Sequence, residues 1–329
     1  MVTHPILHSW RHGLQTAGAS KRLITVVYCF NLVLALVLAI SFFGVLKTGA
    51  SGSLAPTSLL AGFDYTVYRE FVREHGDAVS ALISQVKWLA FAYLLFNVLL
   101  SGGILQTLAS PRSFSLSSFF EGCGRYFARF FRLLFFILIL QALVAAVVYV
   151  PLGLFFSRNK TVEVESSLFY IGLGGFLLHL LLFGTVLLIG DYARISLFRN
   201  NSTRALRTLW QATKFVFRHF GKTYGLYLAV AVFSLALFLF YFLLDAQVTM
   251  RTPLTIALTL LVQQLVIWLR IGTKVWLMGS ELTLHTLVQP LEEQPTIARK
   301  EEPGPLPPVI APSPTPLDAL ESETLPQPG

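Results

Sequence analysis

The chain holds 329 residues, of which only 13% are charged and 54% hydrophobic, with 25 Lys and Arg against 17 Asp and Glu for a net charge of +8. Soluble domains carry about 25% charge, and a chain this apolar has too little polar material to cover a water-facing surface. That excludes an ordinary soluble enzyme, a disordered chain and a nucleic-acid-binding domain. The two cysteines, Cys29 and Cys123, exclude a disulfide framework or a zinc cluster. The fold class expected is all-α: a polytopic membrane helix bundle of six transmembrane helices with cytoplasmic interfacial amphipathic helices.

A membrane-crossing helix needs about 20 residues with few or no charges, and six windows between charged residues qualify. Residues 1–22 form a cytoplasmic N-terminal segment carrying Arg11, Lys21 and Arg22. The first span, 23–46, is longer than the roughly 7–15 apolar residues of a signal-peptide core, so it is expected to stay in the membrane. TGASGSLAPTSLLAGF follows Lys47 and reads as loop by its Gly, Ser and Pro. The outer connection, Thr48–Ser84, is expected to form one or two short helices. The second span is 88–109 and the third 133–157. The fourth is 166–190, ending at Asp191, and the fifth is 223–244. The sixth, 252–272, opens with Thr252 and Pro253, an N-cap and first-turn pair. Together 23–288 make one six-span membrane domain. The tail, 289–329, is Pro-rich and lacks aromatics, so it is expected to be disordered and cytoplasmic.

Lys and Arg set the orientation. Eighteen fall on the side of the N-terminus, the second and fourth connections and the C-terminal end, and seven on the other. Both termini are therefore expected in the cytoplasm. The second and fourth connections also resemble each other. RYFARFF (Arg125–Phe131) leads into span three and KFVFRHF (Lys214–Phe220) into span five. Each fits an amphipathic helix between two spans, and the repeat is either a true duplication or a shared solution to re-entering the membrane. In the first, Leu116, Phe119, Phe120, Cys123, Phe127, Phe130 and Phe131 share a face opposite Arg125, Arg129 and Arg132. In the second, Arg204, Arg207, Lys214, Arg218 and Lys222 form a stripe at helical spacing. Basic stripes beside aromatics suit the headgroup layer, so these eight residues are candidate contacts to anionic lipid. Topology-setting charge alone is the simpler account of the same pattern.

Polar residues within spans are Asn31, Asn97, Gln141, His179, Gln263 and Gln264. They are expected to hydrogen-bond between helices, with a substrate path as the second reading. Asp191 stands at the cytoplasmic boundary, where an unpaired acid is costly. Arg194, one turn on, and Arg270, from span six, are its candidate partners in a structural ion pair. Arg270 and Lys274 are expected to snorkel to the surface. No HExxH, GxSxG, Walker A, GxGxxG or CxxC pattern occurs. The sequence therefore implies no catalytic residue, no metal and no cofactor.

FNLVLAL (Phe30–Leu36), AGFD (Ala61–Asp64), GCGRYFARFFRL (Gly122–Leu133), DYARI (Asp191–Ile195) and QQL (Gln263–Leu265) together resemble a family of uncharacterised six-span bacterial inner-membrane proteins. More distantly the chain is similar to the membrane domain of some glycerophosphodiester phosphodiesterases. The resemblance spans about residues 10–288. It implies location in the bacterial cytoplasmic (inner) membrane and carries no active site. The function expected is a non-enzymatic protein that organises the membrane or forms a complex with a membrane-protein partner. The alternative is a transporter or permease subunit for a lipid-like or small solute, motivated by the repeat. The bilayer and its anionic lipids are the expected partners, not nucleic acid.

Overall fold

A computed structural model describes residues 5–50, 65–110, 114–158, 165–248 and 252–289. These residues form nine α-helices and no strand. In chain order they are α1 (Pro5–Ala19), α2 (Lys21–Ala50), α3 (Tyr65–Glu74), α4 (Gly76–Ala109), α5 (Leu116–Arg158), α6 (Glu165–Arg199), α7 (Ala205–Arg218), α8 (Phe220–Gln247) and α9 (Pro253–Val288). Six of them, α2, α4, α5, α6, α8 and α9, are long and apolar enough to cross a membrane. The protein is a multi-pass all-α helix bundle. The Pro-rich tail beyond Gln289 and residues 51–64, which hold most of the expected loop, lie outside the described residues.

The helices overrun the apolar windows, because a charge ends hydrophobicity but does not end a helix. On the outer connection α3 is the short helix, and α4 begins at Gly76, well before the window at 88. At the other end α9 runs on to Val288 through Arg270, Lys274 and Glu281. Its start is fixed by a capping box. Thr252 Oγ1 accepts from the Thr255 amide, and the Thr255 hydroxyl accepts from the Thr252 amide, with Pro253 in the first turn.

The two connections expected to match do not. Residues 116–132 form no separate interfacial helix: they are the first turns of the 43-residue α5. Nor do their apolar residues share one lipid-facing side. Phe119, Cys123 and Phe130 are buried in the bundle beside Gly122 and Tyr126, while Leu116, Phe120 and Phe131 stay exposed. The second connection does contain a distinct helix, α7, broken from α8 at His219. The turn before α7 is a Schellman motif. The Ser202 amide reaches the Leu197 carbonyl, the Asn201 amide reaches that of Phe198, and Asn201 has φ 46°. Asparagine is one of the few residues besides glycine that takes this conformation at little cost.

Close packing is concentrated at one end of the bundle. It gathers the N-terminal turns of α2 and α5, the C-terminal turns of α4, α6 and α9, and all of α1 and α7. There α4 and α5 meet through glycines. A Cβ at Gly102 would lie 2.6 Å from the Gly122 carbonyl oxygen, and one at Gly103 would lie 2.7 Å from the Phe119 ring. The α1–α9 contact is as tight: a Cβ at Gly13 would meet Ser280 backbone nitrogen at 2.7 Å. Small residues let helices approach where the bilayer supplies no hydrophobic drive between them. Toward the other end the apolar residues of α2, α6 and α8 are largely exposed, as lipid-facing surfaces are.

Two glycines on α5 therefore predict opposite outcomes. Gly122→Ala places a methyl 2.6 Å from Gln106 Cβ and should lower the melting temperature in detergent, at a cost of about 1–3 kcal/mol. Gly124 has nothing within 4 Å of its Cβ position, so Gly124→Ala should be neutral or stabilising by up to about 1 kcal/mol. Equal melting temperatures for the two variants would show that the α4–α5 contact is looser than described.

Candidate functional site

The polar residues of the spans sit at helix–helix interfaces. Gln264 Oε1 accepts from Tyr28 Oη at 2.7 Å, joining α9 to α2. Gln263 Nε2 donates to Tyr241 Oη at 3.0 Å, joining α9 to α8. Gln141 Nε2 donates to the Phe183 carbonyl at 3.2 Å, joining α5 to α6. Thr185 and Tyr224 hydroxyls bond α6 to α8. Asn97 accepts from Lys274 through Oδ1, joining α4 to α9. His179 lies against the rings of Tyr149 and Phe183 with Nδ1 buried and unpartnered. Asn31 lines a cavity described below.

Asp191 and Arg194 form the ion pair, Nη1 to Oδ1 at 2.5 Å, each side chain about one-quarter exposed. The second expected partner, Arg270, is elsewhere: it is exposed and lies in the cavity wall. The α9 cation whose charge acts on Asp191 is Lys274. Helical periodicity explains the difference. Lys274 is one turn beyond Arg270, and in an α9 that continues to Val288 that extra turn brings its ammonium to Asn97 rather than to water.

Glu281 completes this cluster and was not anticipated. It is 1% exposed, and neither carboxylate oxygen has a hydrogen-bond partner among the described residues. Asp191 and Arg194 act on it electrostatically, and Tyr192, fully buried, feels both acids. The charge-free window of the sixth span closes at Arg270, and Glu281 lies eleven residues beyond it. The usable signal was the absence of any helix breaker from Pro253 to Val288, together with the small pair Gly279-Ser280 just before the acid.

A cavity of about 570 Å³ opens beside the cluster, between α2, α4 and α9. Its polar groups are Tyr28, Asn31, Tyr93, Asn97, Gln264, Arg270 and Lys274, and apolar side chains such as Leu32, Leu38, Val86 and Leu89 form the remainder. Chain directions order the lining. Asn31 on α2, Asn97 on α4, and Arg270 and Lys274 on α9 all lie toward the packed end; Leu38 and Val86 lie away from it. The Val86–Leu100 stretch of α4 spans about 20 Å at 1.5 Å per residue. Lys274 has Asn97 as its hydrogen-bond partner, and no carboxylate is within ion-pair distance of it or of Arg270 among the described residues. The result is a lateral groove with two cations at one end and aliphatic walls along the rest.

The basic residues expected at the headgroup layer divide. Arg204, Arg207, Lys214, Arg218 and Lys222 are exposed on α7 and at the start of α8. Leu206, Trp210 and Phe217 are also exposed and form a neighbouring stripe, with the Lys214 ammonium 5.4 Å from the Trp210 ring centre. Ala205, Leu209, Ala212 and Val216 make the face buried against the bundle. On α5, Arg125 and Arg132 are exposed. Arg129 is engaged instead: it donates to the carbonyl and side-chain oxygens of Asn201, holding the turn before α7. Comparison with protein-family models, with curated proteins and with solved structures gave no match.

The two acids predict different effects. Asp191→Asn strands Arg194 at a site one-quarter exposed. Its cost should fall between the under 1 kcal/mol or so of a surface pair and the roughly 3–5 kcal/mol of a broken buried one. Glu281→Gln breaks no hydrogen bond or ion pair among the described residues, because neither carboxyl oxygen has a partner there, and should leave the melting temperature unchanged or higher. Thermal unfolding of both variants in one detergent checks this; a loss for Glu281→Gln as large as for Asp191→Asn would mean that the carboxylate is held by the protein.

Proposed function

We propose that the protein belongs to the bacterial cytoplasmic membrane, with both termini in the cytoplasm, and that it binds an anionic amphiphile in the lateral groove. It holds or passes a lipid-like molecule rather than altering one by covalent chemistry. The single observation that carries this reading is the groove between α2, α4 and α9, cationic at one end and aliphatic along the rest. An anionic headgroup offsets the charge of Lys274 and Arg270, which lack carboxylate partners, and an acyl chain fills the space along Leu32, Leu38 and Leu89. Cationic groups near the inner surface also attract anionic lipids, by about 1 kcal/mol each. Among the readings of the sequence, this favours the handling of a lipid-like solute over membrane organisation alone. The resemblance to six-span inner-membrane proteins and the Lys and Arg asymmetry support the location and orientation.

Two measurements test it. Reporter fusions at residues 205 and 300 should read cytoplasmic, and fusions at 55 and 160 should read external; an external signal at 205 overturns the orientation. Native mass spectrometry of protein extracted in mild detergent and exchanged into mixed phosphatidylglycerol and phosphatidylcholine should show bound phosphatidylglycerol in preference. Lys274→Gln with Arg270→Gln should lower that preference about tenfold, and Ala90→Trp, which fills the groove, should lower binding of both lipids. Preference unchanged in the double variant would remove the groove as the site.

A further inference from the structure

A second cavity lies apart from the lateral groove, at the packed end, between the C-terminal turns of α6 and α9 and one side of α7. Its volume is about 450 Å³, within the range of small-molecule sites. Lys214, Arg218 and His219 line one side and His285 lines another, with Gln211 and Asn200 between them. No acidic side chain lines it among the described residues. His285 is buried, and Arg199 Nη1 donates to the His285 carbonyl at 3.2 Å and to the Gln289 carbonyl at 2.9 Å. That guanidinium therefore fixes the end of α9 as a wall of the cavity and adds positive charge behind it. Arg199 also bonds His285 Nδ1; a guanidinium can only donate, so this nitrogen of His285 is the acceptor and the ring proton sits on Nε2.

The concavity is what separates this place from the rest of the basic stripe. Arg204 and Arg207 carry the same charge on the same helix but do not line it. Lys214 and Arg218 are one helical turn apart on α7 and line the cavity together with His285 and Phe215. Burial, and then the charges of Lys222 and Arg218, hold the His219 imidazole below its ordinary value. Two cations therefore share one cavity with no carboxylate beside them among the described residues. Charge-assisted hydrogen bonds from several donors converging on one point are how proteins hold phosphate.

We propose that this cavity is a binding site for a phosphate ester, held by Lys214, Arg218 and His219 with Gln211 and Asn200 as neutral donors. The phosphate belongs either to a soluble phosphorylated compound or to a phospholipid headgroup. The site is independent of the lateral groove: Lys274 and Arg270 are not part of it.

The test compares three full-length proteins: wild type, Lys214→Gln with Arg218→Gln, and Arg204→Gln with Arg207→Gln. The last pair removes equal charge from α7 outside the cavity. In the first arm, pyrophosphate is titrated into protein in neutral detergent by calorimetry. In the second, protein in phosphatidylcholine nanodiscs with a minor share of phosphatidic acid is analysed by native mass spectrometry for retained phosphatidic acid. Loss of two charged donors should weaken binding at least about tenfold, while Arg204→Gln with Arg207→Gln should stay within about twofold of wild type. That pattern in the first arm assigns a soluble phosphate ester, and in the second arm a headgroup. Equal loss in both double variants overturns the proposal in favour of general stripe electrostatics, and so does the absence of binding by wild type in both arms. Melting temperatures of the three proteins should agree, because Lys214, Arg218, Arg204 and Arg207 are exposed. If Lys214→Gln with Arg218→Gln unfolds the protein, Lys214→Arg with Arg218→Lys, which keeps both charges, should bind as wild type; failure of that variant to bind also overturns it.

Discussion

Most polar contacts between elements of this bundle have one end on α9. Along its length Gln263 bonds Tyr241, Gln264 bonds Tyr28, Trp268 bonds Thr25, and Lys274 bonds Asn97. Farther on, Trp276 donates to the Trp10 carbonyl, Thr283 bonds His12, and His285 meets Arg199. In hydrocarbon an apolar side chain gains little by facing another helix instead of lipid, so helices are held by close approach and by hydrogen bonds. A single helix that supplies a bond to each neighbour fixes the positions of α1, α2, α4, α6 and α8 at once. Each such bond contributes only on the order of 1 kcal/mol, so it is their distribution along one rigid helix that gives the arrangement its definition.

Glycine supplies the close approaches. The α4–α5 contact depends on Gly102, Gly103 and Gly122, and the seating of α1 on α9 depends on Gly13 against Ser280. The tightest of these contacts cluster at the packed end, whereas toward the far ends of α6 and α8 Phe169, Leu177, Leu235 and Phe240 stay exposed. The molecule thus combines a dense end, with protein on all sides of its core residues, and a looser end whose packing partner is lipid. Buried charge is tolerated at the dense end because there are groups to face it: Asp191 with Arg194, and Lys274 with Asn97. Glu281 is buried there without a hydrogen-bond partner among the described residues.

The lateral groove lies where these two regimes meet, and the second cavity lies at the packed end. The lateral groove forms because α2 and α4 are joined to α9 by isolated bonds rather than by a continuous apolar contact, which leaves space between Tyr28–Gln264 and Asn97–Lys274. The second cavity forms because α7, held to the bundle by one face, carries its cations over the ends of α6 and α9. In each, cations lack carboxylate partners among the described residues, so the same shortage of acids that marks the composition becomes a local excess of positive charge. The two sites differ in their walls: aliphatic in the groove, hydrophilic beneath α7.

Composition and charge spacing by themselves determined that the chain is a helix bundle with six membrane-length helices, because a run of about 20 uncharged residues has few other stable fates. The polar residues of the spans were visible too, since hydropathy makes them conspicuous. Only the tertiary structure decided how far each helix continues. A helix ends where its backbone or cap chemistry changes, and charged residues such as Lys274 and Glu281 carry on a helix that has already left the apolar window. That is why Glu281 escaped notice, why Lys274 meets Asn97 rather than water, and why residues 116–132 belong to α5. The pairing of Arg129 with Asn201 and the convergence of Lys214 with His285 were likewise illegible. They join residues 72 and 71 positions apart in a chain whose periodicity reports one helix at a time, whereas which helix lies beside which is decided by glycine contacts and single hydrogen bonds.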